Sequence, residues 1–228
     1  MSPSPAPEAT LGTADVPLRS RARHDPSNAA AAYLVAARDR DLRSLLTDVG
    51  AGVRDVRALD VGCGDGGWLA RLVEWGAAPE RLAGVDLSGA RVARARDRLP
   101  GGRFGQADAA ALPFEDGAFD LVTMLTLLSS IVEPEPRAAA AREGLRVLRP
   151  GGWLIVYDFP WNPTNRRVRP VRPSELRAWL SSEPAVVRRV TLAPPLARLL
   201  ASRAPGLCRA LERLPFLRSH LLIAFRKP

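Results

Sequence analysis

Two hydrophobic periods alternate along the chain, one helical and one short and continuous. Residues 27–49 form an Ala-rich run in which Leu34, Leu42, Leu45, Leu46 and Val49 recur at helical spacing, predicting a helix with one apolar side. A short apolar strand over 57–61 follows and meets a glycine cluster. Beyond it Trp68, Leu69, Leu72 and Val73 share one side of a helix that Gly76 ends. A second strand over 82–86 precedes Ser88, a candidate N-cap, and an Arg-rich helix stopped by Pro100. Further strands are predicted at 103–107, 119–124 and 153–158. An Ala-rich helix over 135–148 precedes a Pro150-Gly151-Gly152 turn.

Beyond Asp158 the pattern changes. A Pro and Arg loop leads to a short helix over 174–180 and a strand over 186–192. Two Pro-bounded helical pieces and a strand over 221–225 complete the chain. Strands alternating with helices imply an α/β fold built on a doubly wound, mostly parallel sheet. Residues 1–26, rich in Pro and poor in apolar pattern, read as a disordered tail, and residues 27–228 as one domain. Within it, 27–54 is an N-terminal helical region, 55–158 a core around the glycines, and 159–228 a receiving side with a helical insertion at 194–219.

The loop Asp60-Val61-Gly62-Cys63-Gly64-Asp65-Gly66 carries the most chemical information. Glycines where a strand turns into a helix permit positive φ and let a ligand approach backbone that a Cβ would shield. Asp86 ends the second strand, where a carboxylate accepts from both hydroxyls of a ribose. Asp108 follows the third strand, placed to accept from an adenine amino group. Three acids at three successive strand ends make an adenosine-shaped site.

These stretches resemble the class I S-adenosylmethionine-dependent methyltransferases, of the type 11-like kind. The matching segments are AlaLeuAspValGlyCysGlyAspGly at 58–66, GlyValAspLeuSer at 84–88, AlaAspAlaAlaAlaLeuProPhe at 107–114, PheAspLeuVal at 119–122 and LeuArgProGlyGly at 148–152. The resemblance implies a Rossmann-like, seven-stranded sheet with an antiparallel last strand, and S-adenosyl-L-methionine as cofactor. It further implies that Asp60, Gly62, Cys63 and Gly64 surround the methionine end, that Asp86 binds the ribose, that Leu87 packs on the adenine face, and that Asp108 and Ala109 recognise adenine. A nicotinamide dinucleotide would use the same crevice. Its pyrophosphate would meet the added negative charge of Asp65, which favours a cationic sulfonium donor instead.

Methyl transfer is an in-line displacement at an activated sulfonium, so the protein mainly aligns donor and acceptor, and a general base matters most for a hydroxyl acceptor. After the fourth strand, Thr123-Met124-Leu125-Thr126-Leu127 stands where some amino-directed nucleic-acid methyltransferases carry an Asp or Asn followed by Pro-Pro and an aromatic. That departure argues against base N-methylation, and Asn162-Pro163 reads as a turn. Asp158 closes the fifth strand at the ligand edge. An antiparallel seventh strand would begin there too, so His220 and Asp158 are the candidate catalytic residues, with Asp158 orienting the imidazole or acting as base. The competing readings are a structural histidine, and an Asp158 salt bridge to Arg166 or Arg167. His24 falls in the tail. The Arg-rich tract 160–173 would wall the acceptor pocket, and 194–219 reads as packing helices or a lid.

Charge refines the acceptor. Residues 1–150 hold 19 Arg against 20 acids, a net −1, while residues 151–228 hold 14 Arg or Lys against 4 acids, a net +10. The basic excess is thus confined to the receiving side, where it suits an anionic acceptor or reflects an Arg-rich genome. Two cysteines and two histidines indicate neither a disulfide framework nor a metal site. The longest largely apolar run, 121–132, is too short to span a bilayer, and no secretory signal is visible, so a cytoplasmic location is expected. Oligomeric state is not encoded in these patterns. The expected function is methylation of a small molecule or glycoconjugate at oxygen, in secondary metabolism or surface-glycan biosynthesis. The alternatives are an RNA methyltransferase, which lacks interleaved aromatics here, and a non-catalytic partner subunit, which would not need an intact glycine loop.

Overall fold

A computed structural model describes residues 28–161 and 169–228. The expected tail at 1–26, His24, the Asn162-Pro163 turn and the Arg166 and Arg167 ion pairs lie outside the described residues. Helix α1 (Ala29–Asp48) is capped by Asn28, whose side chain accepts from the Ala30 N–H at 3.0 Å and the Ala31 N–H at 3.4 Å. Such a cap contributes about 1 kcal/mol. Seven strands follow: β1 (Ala58–Val61), β2 (Leu82–Asp86), β3 (Arg103–Gln106), β4 (Phe119–Leu125), β5 (Leu148–Asp158), β6 (Val186–Leu192) and β7 (Arg218–Arg226). The connecting helices are α2 (Gly67–Glu74), α3 (Gly89–Arg98), α4 (Pro134–Arg146), α5 (Pro173–Leu180), α6 (Pro194–Leu200) and α7 (Pro205–Glu212).

All seven strands form one sheet in the order β3-β2-β1-β4-β5-β7-β6. Pairings among β1 to β5 are parallel, and β7 runs antiparallel to both β5 and β6. The expected doubly wound sheet with its antiparallel last strand is therefore the observed one. One face packs Leu42, Leu45 and Leu46 of α1, Trp68 and Leu72 of α2 and Val92 of α3. The other packs Ala140 and Ala141 of α4 with Leu176 and Leu180 of α5. Strands buried on both faces read as continuous apolar runs, which is why β1 and β2 show no alternation. The order of strands changes direction between β1 and β4, and C-terminal strand ends at such a switch point form the ligand edge of doubly wound sheets.

Two strand starts and one helix cap depart most from the sequence reading. β5 begins at Leu148, not 153: Leu148 pairs with Phe119, and the register then shifts before Leu121 meets Trp153. Pro150-Gly151-Gly152 is therefore a bulge inside the strand, with Gly151 at φ 77° and a Cβ on Gly152 excluded by the Arg149 carbonyl at 2.9 Å. β7 begins at Arg218, three residues before the expected start, so His220 sits inside the strand opposite Val190. Ser88 stands at the N-cap of α3 but makes no side-chain cap bond. Among the described residues no helix is long and apolar enough to cross a membrane.

Candidate functional site

The loop after β1 is folded by backbone bonds before any ligand is considered. Gly62 and Cys63 donate their N–H groups to the Val85 carbonyl at 2.8 and 2.9 Å, and Gly66 donates to the Cys63 carbonyl at 3.0 Å. Gly62 has φ 77° and Gly64 φ 56°, the left-handed region where glycine pays no Cβ penalty. The two glycines answer different demands. A Cβ on Gly62 would stand 2.8 Å from Leu127 Cδ1, whereas one on Gly64 would meet no atom within 4 Å. Gly64 thus opens a space over the loop at the switch point, a cradle that a side chain would fill.

Asp86, at the end of β2, holds that loop in place. Its two carboxylate oxygens accept from the Gly64 and Ser88 N–H groups, each at 2.9 Å, and Arg91 lies 3.7 Å away. Acceptor capacity remains, since a carboxylate offers about four lone-pair sites. The adjacent Leu87 is 65% exposed, an apolar side chain held out at the strand end, while its carbonyl accepts from Gln106 Nε2 at 3.0 Å. Asp108 is exposed and accepts from the Ala110 N–H at 2.9 Å, and Ala109 is half-buried beside it. Cys63 is buried, and burial followed by the Asp60 and Asp86 charges pushes its thiol pKa upward, so it is a packing group and not a thiolate.

Asp60 is buried and accepts from Thr123 Oγ1 at 2.7 Å across the β1–β4 pair. Burial pushes its pKa up to about 7, against the hydrogen bond from Thr123 and the field of Arg38, which lower it. Neither Arg38 nor the bond from Thr123 to Asp60 was read from the sequence. A polar residue at a fully buried strand position is the signal that would have found Thr123; nothing in the spacing distinguishes Arg38 from the other arginines. Arg38 is hydrogen-bonded to Asp39 at 2.7 and 2.9 Å.

Asp65 is paired with Arg98 of α3 at 2.9 Å, so its charge does not weigh against a pyrophosphate as the sequence suggests. The preference against a pyrophosphate therefore rests on Asp60. Thr126, at the end of β4, holds φ 56°, a strained conformation for a β-branched residue. It is fixed by its N–H donating to the Tyr157 carbonyl at 2.7 Å and its carbonyl accepting from Ser130 Oγ at 2.9 Å. That turn directs Leu127 against Gly62.

His220 and Asp158 are both buried at the same edge, but on opposite faces of the sheet. Asp158 pairs with Leu221, whose side chain belongs to the α4–α5 face, while His220 shares the other face with Tyr157 and Leu222. An Asp158 carboxylate orienting the His220 imidazole is thus corrected by the register: a shift of one residue reverses the face. The His220 ring stacks on Tyr157 at 4.6 Å and lies 4.1 Å from Phe159, with Ser219 Oγ 3.0 Å from Nδ1. Burial, then the nearby Arg38 charge, lowers its pKa to about 3. Asp158 accepts from the Ser129 and Phe159 N–H groups, each at 2.9 Å, and burial raises its pKa to about 6. Among the described residues no cluster of His, Cys, Asp and Glu could hold a metal ion.

The comparisons agree with this geometry. Residues 58–152 match the family model described as "Methyltransferase domain". A 110-residue stretch is 39% identical to the demethylmenaquinone methyltransferase of Beutenbergia cavernae, covering 47% of this chain and 43% of that protein. Another of 114 residues is 40% identical to phthiotriol/phenolphthiotriol dimycocerosates methyltransferase 1 of Mycobacterium ulcerans, covering 48% and 39%. The chain thus spans less than half the length of either relative. Among solved structures, the 4+2 cyclase SpnF matches with a TM-score of 0.62 at 25% identity, over 83% of this chain and 80% of its own. Strand order and the glycine loop after β1 define a Rossmann-like, seven-stranded fold. Over residues 58–152 the chain is similar to methyltransferase domains.

Proposed function

We propose that the protein transfers a methyl group from S-adenosylmethionine to a small-molecule acceptor. The observation that carries this reading is the open space over Gly64, whose N–H is held by the buried carboxylate of Asp86. In this reading Asp86 accepts from the ribose hydroxyls, Leu87 covers one adenine face, and Asp108 with Ala109 meets the adenine edge. Gly62, Cys63 and Gly64 line the methionine end. The donor's amino acid moiety carries an ammonium and a carboxylate. Asp60 accepts from the first, and Arg38, whose field already reaches Asp60 and His220, meets the second. Bound donor supplies an electrophilic methyl; the chain aligns it and excludes water.

A hydroxyl is the preferred acceptor in this reading, with Asp158, raised to about 6, the stronger candidate base and His220, lowered to about 3 on the opposite face, the weaker. The net +10 of residues 151–228 favours an acceptor with negative charge, in a secondary-metabolic or glycan pathway of the cytoplasm. The two relatives, named for acting on demethylmenaquinone and on phthiotriol dimycocerosates, support the small-molecule class. The likeness to SpnF favours one further reading, a reaction other than methyl transfer on the same fold.

Calorimetric titration with S-adenosylhomocysteine and with a nicotinamide dinucleotide tests the cofactor assignment. Binding of the methyl-cycle ligand in the micromolar range, near −8 kcal/mol, is expected. Tighter binding of the dinucleotide would overturn it.

A further inference from the structure

The segment joining β6 to β7 comprises α6, α7 and a 3₁₀ turn at Pro215–Leu217. Its inner side is accounted for: Leu192, Ala197, Ala201 and Cys208 form a small core with Tyr33 and Leu34 of α1. Its outer side is not. Leu199 and Phe216 are 65% and 77% exposed, and Leu207 and Leu214 are exposed as well. Four of the exposed large apolar side chains thus fall within two dozen residues, whereas isolated ones elsewhere are ordinary.

The charges on this segment are equally one-sided. Arg198, Arg203, Arg209 and Arg213 are all exposed and take part in no ion pair among the described residues. Arginines on other helices are engaged, as in Arg71 with Asp39 and Arg146 with Glu143. From 184 to 228 the sequence contains one acid, Glu212. It is buried, accepting from Arg40 at 2.6 Å and Tyr33 at 3.1 Å, and so offsets nothing on the outer surface. Exposed leucine and phenylalanine interleaved with unpaired arginines is the composition of an interfacial segment. Apolar side chains enter the acyl boundary while guanidinium heads, on stems that lie along it, meet phosphates.

We propose that the β6–β7 insertion docks the protein on an anionic phospholipid surface. The occupant is a bilayer because the four cations call for negative charge spread along the whole segment, and the apolar side chains between them call for a medium with depth. The insertion leaves β6 and enters β7 at the ligand edge of the sheet. Docking would therefore bring the acceptor side of the domain to the membrane. The proposal does not depend on methyl transfer, and donor binding is measured separately.

The test is sedimentation of the full chain with vesicles of phosphatidylcholine alone and of phosphatidylcholine mixed with phosphatidylglycerol, over a range of salt. Expected is binding to the mixed vesicles only, weakening as salt rises. Leu199→Ser with Phe216→Ser, and separately Arg198→Gln with Arg203→Gln, should each weaken it several-fold while S-adenosylhomocysteine binding and melting temperature stay unchanged. Equal sedimentation of wild type and both variants would overturn the proposal. So would binding to RNA or an acidic protein without binding to vesicles. If the serine variant instead loses self-association, with vesicle binding absent throughout, the face joins two copies of this chain and the proposal fails.

Discussion

Gly64→Ala separates the folding role of the glycine loop from its ligand role. The backbone there sits at φ 56°, so an alanine would cost about 1–2 kcal/mol of conformational strain. No atom stands within 4 Å of the new methyl, so no packing cost is added. For a chain of this length each kcal/mol lowers Tm by about 2–4 °C, giving a fall of roughly 2–8 °C. Donor binding should suffer separately, because the methyl occupies the space the ligand needs. Forcing one methyl into a filled site costs about 1–3 kcal/mol, a roughly 5- to 150-fold loss of affinity. Calorimetry with S-adenosylhomocysteine and a thermal melt on the same sample read both quantities. Gly105→Ala, on β3 with nothing within 4 Å and no positive φ, is the control and should change neither. Wild-type affinity in a folded Gly64→Ala protein would refute the reasoning, since the cradle would then not be where the ligand lies.

Asp86→Ala should lower donor affinity by about 1.5–3 kcal/mol through loss of a charged acceptor, read by the same titration. Donor affinity should rise with pH through about 7, where Asp60 ionises and can face a cationic ligand; in Asp60→Asn that dependence should vanish, and its persistence would assign it to another group. Stability should respond in the opposite sense. Asp60 and Asp158 bind protons more tightly folded than unfolded, so their contribution falls as pH rises from about 4 through about 6 to 7. His220, whose folded pKa is about 3, contributes a loss as pH falls below about 6.5, and denaturant titrations of His220→Phe should lack that acid-side loss. On an identified hydroxyl acceptor, Asp158→Asn should slow turnover by about 10²- to 10⁴-fold with donor affinity retained, since Asp158, at about 6, is the stronger candidate base. Near-full rates in both His220→Ala and Asp158→Asn would leave alignment alone as the source of catalysis.

The parts of this fold written in local pattern were legible in the sequence. β1 and β2 are buried on both faces and bounded by turn residues, and the glycine loop between β1 and α2 needs residues that tolerate positive φ, so both announce themselves. Seven strands and one reversed strand follow from that alternation together with the family resemblance. What was not legible depends on register. The start of β7 lies three residues before the apolar run, because Arg218 and His220 pair in the strand despite their polarity, and the faces of His220 and Asp158 follow from pairings between distant segments. The bulge at Gly151 and Gly152 imitates a turn for the same reason. Long-range charge pairs are equally silent: nothing near Asp65 in sequence points to Arg98.

Transfer of label from methyl-labelled S-adenosylmethionine tests the central claim most directly. The full chain is incubated with small-molecule, glycan and RNA fractions of cells, each kept separate, and the label is then located. The account predicts incorporation into the small-molecule fraction, dependent on an intact Asp86. Label confined to RNA, or no incorporation into any fraction by protein that binds the donor, would contradict it.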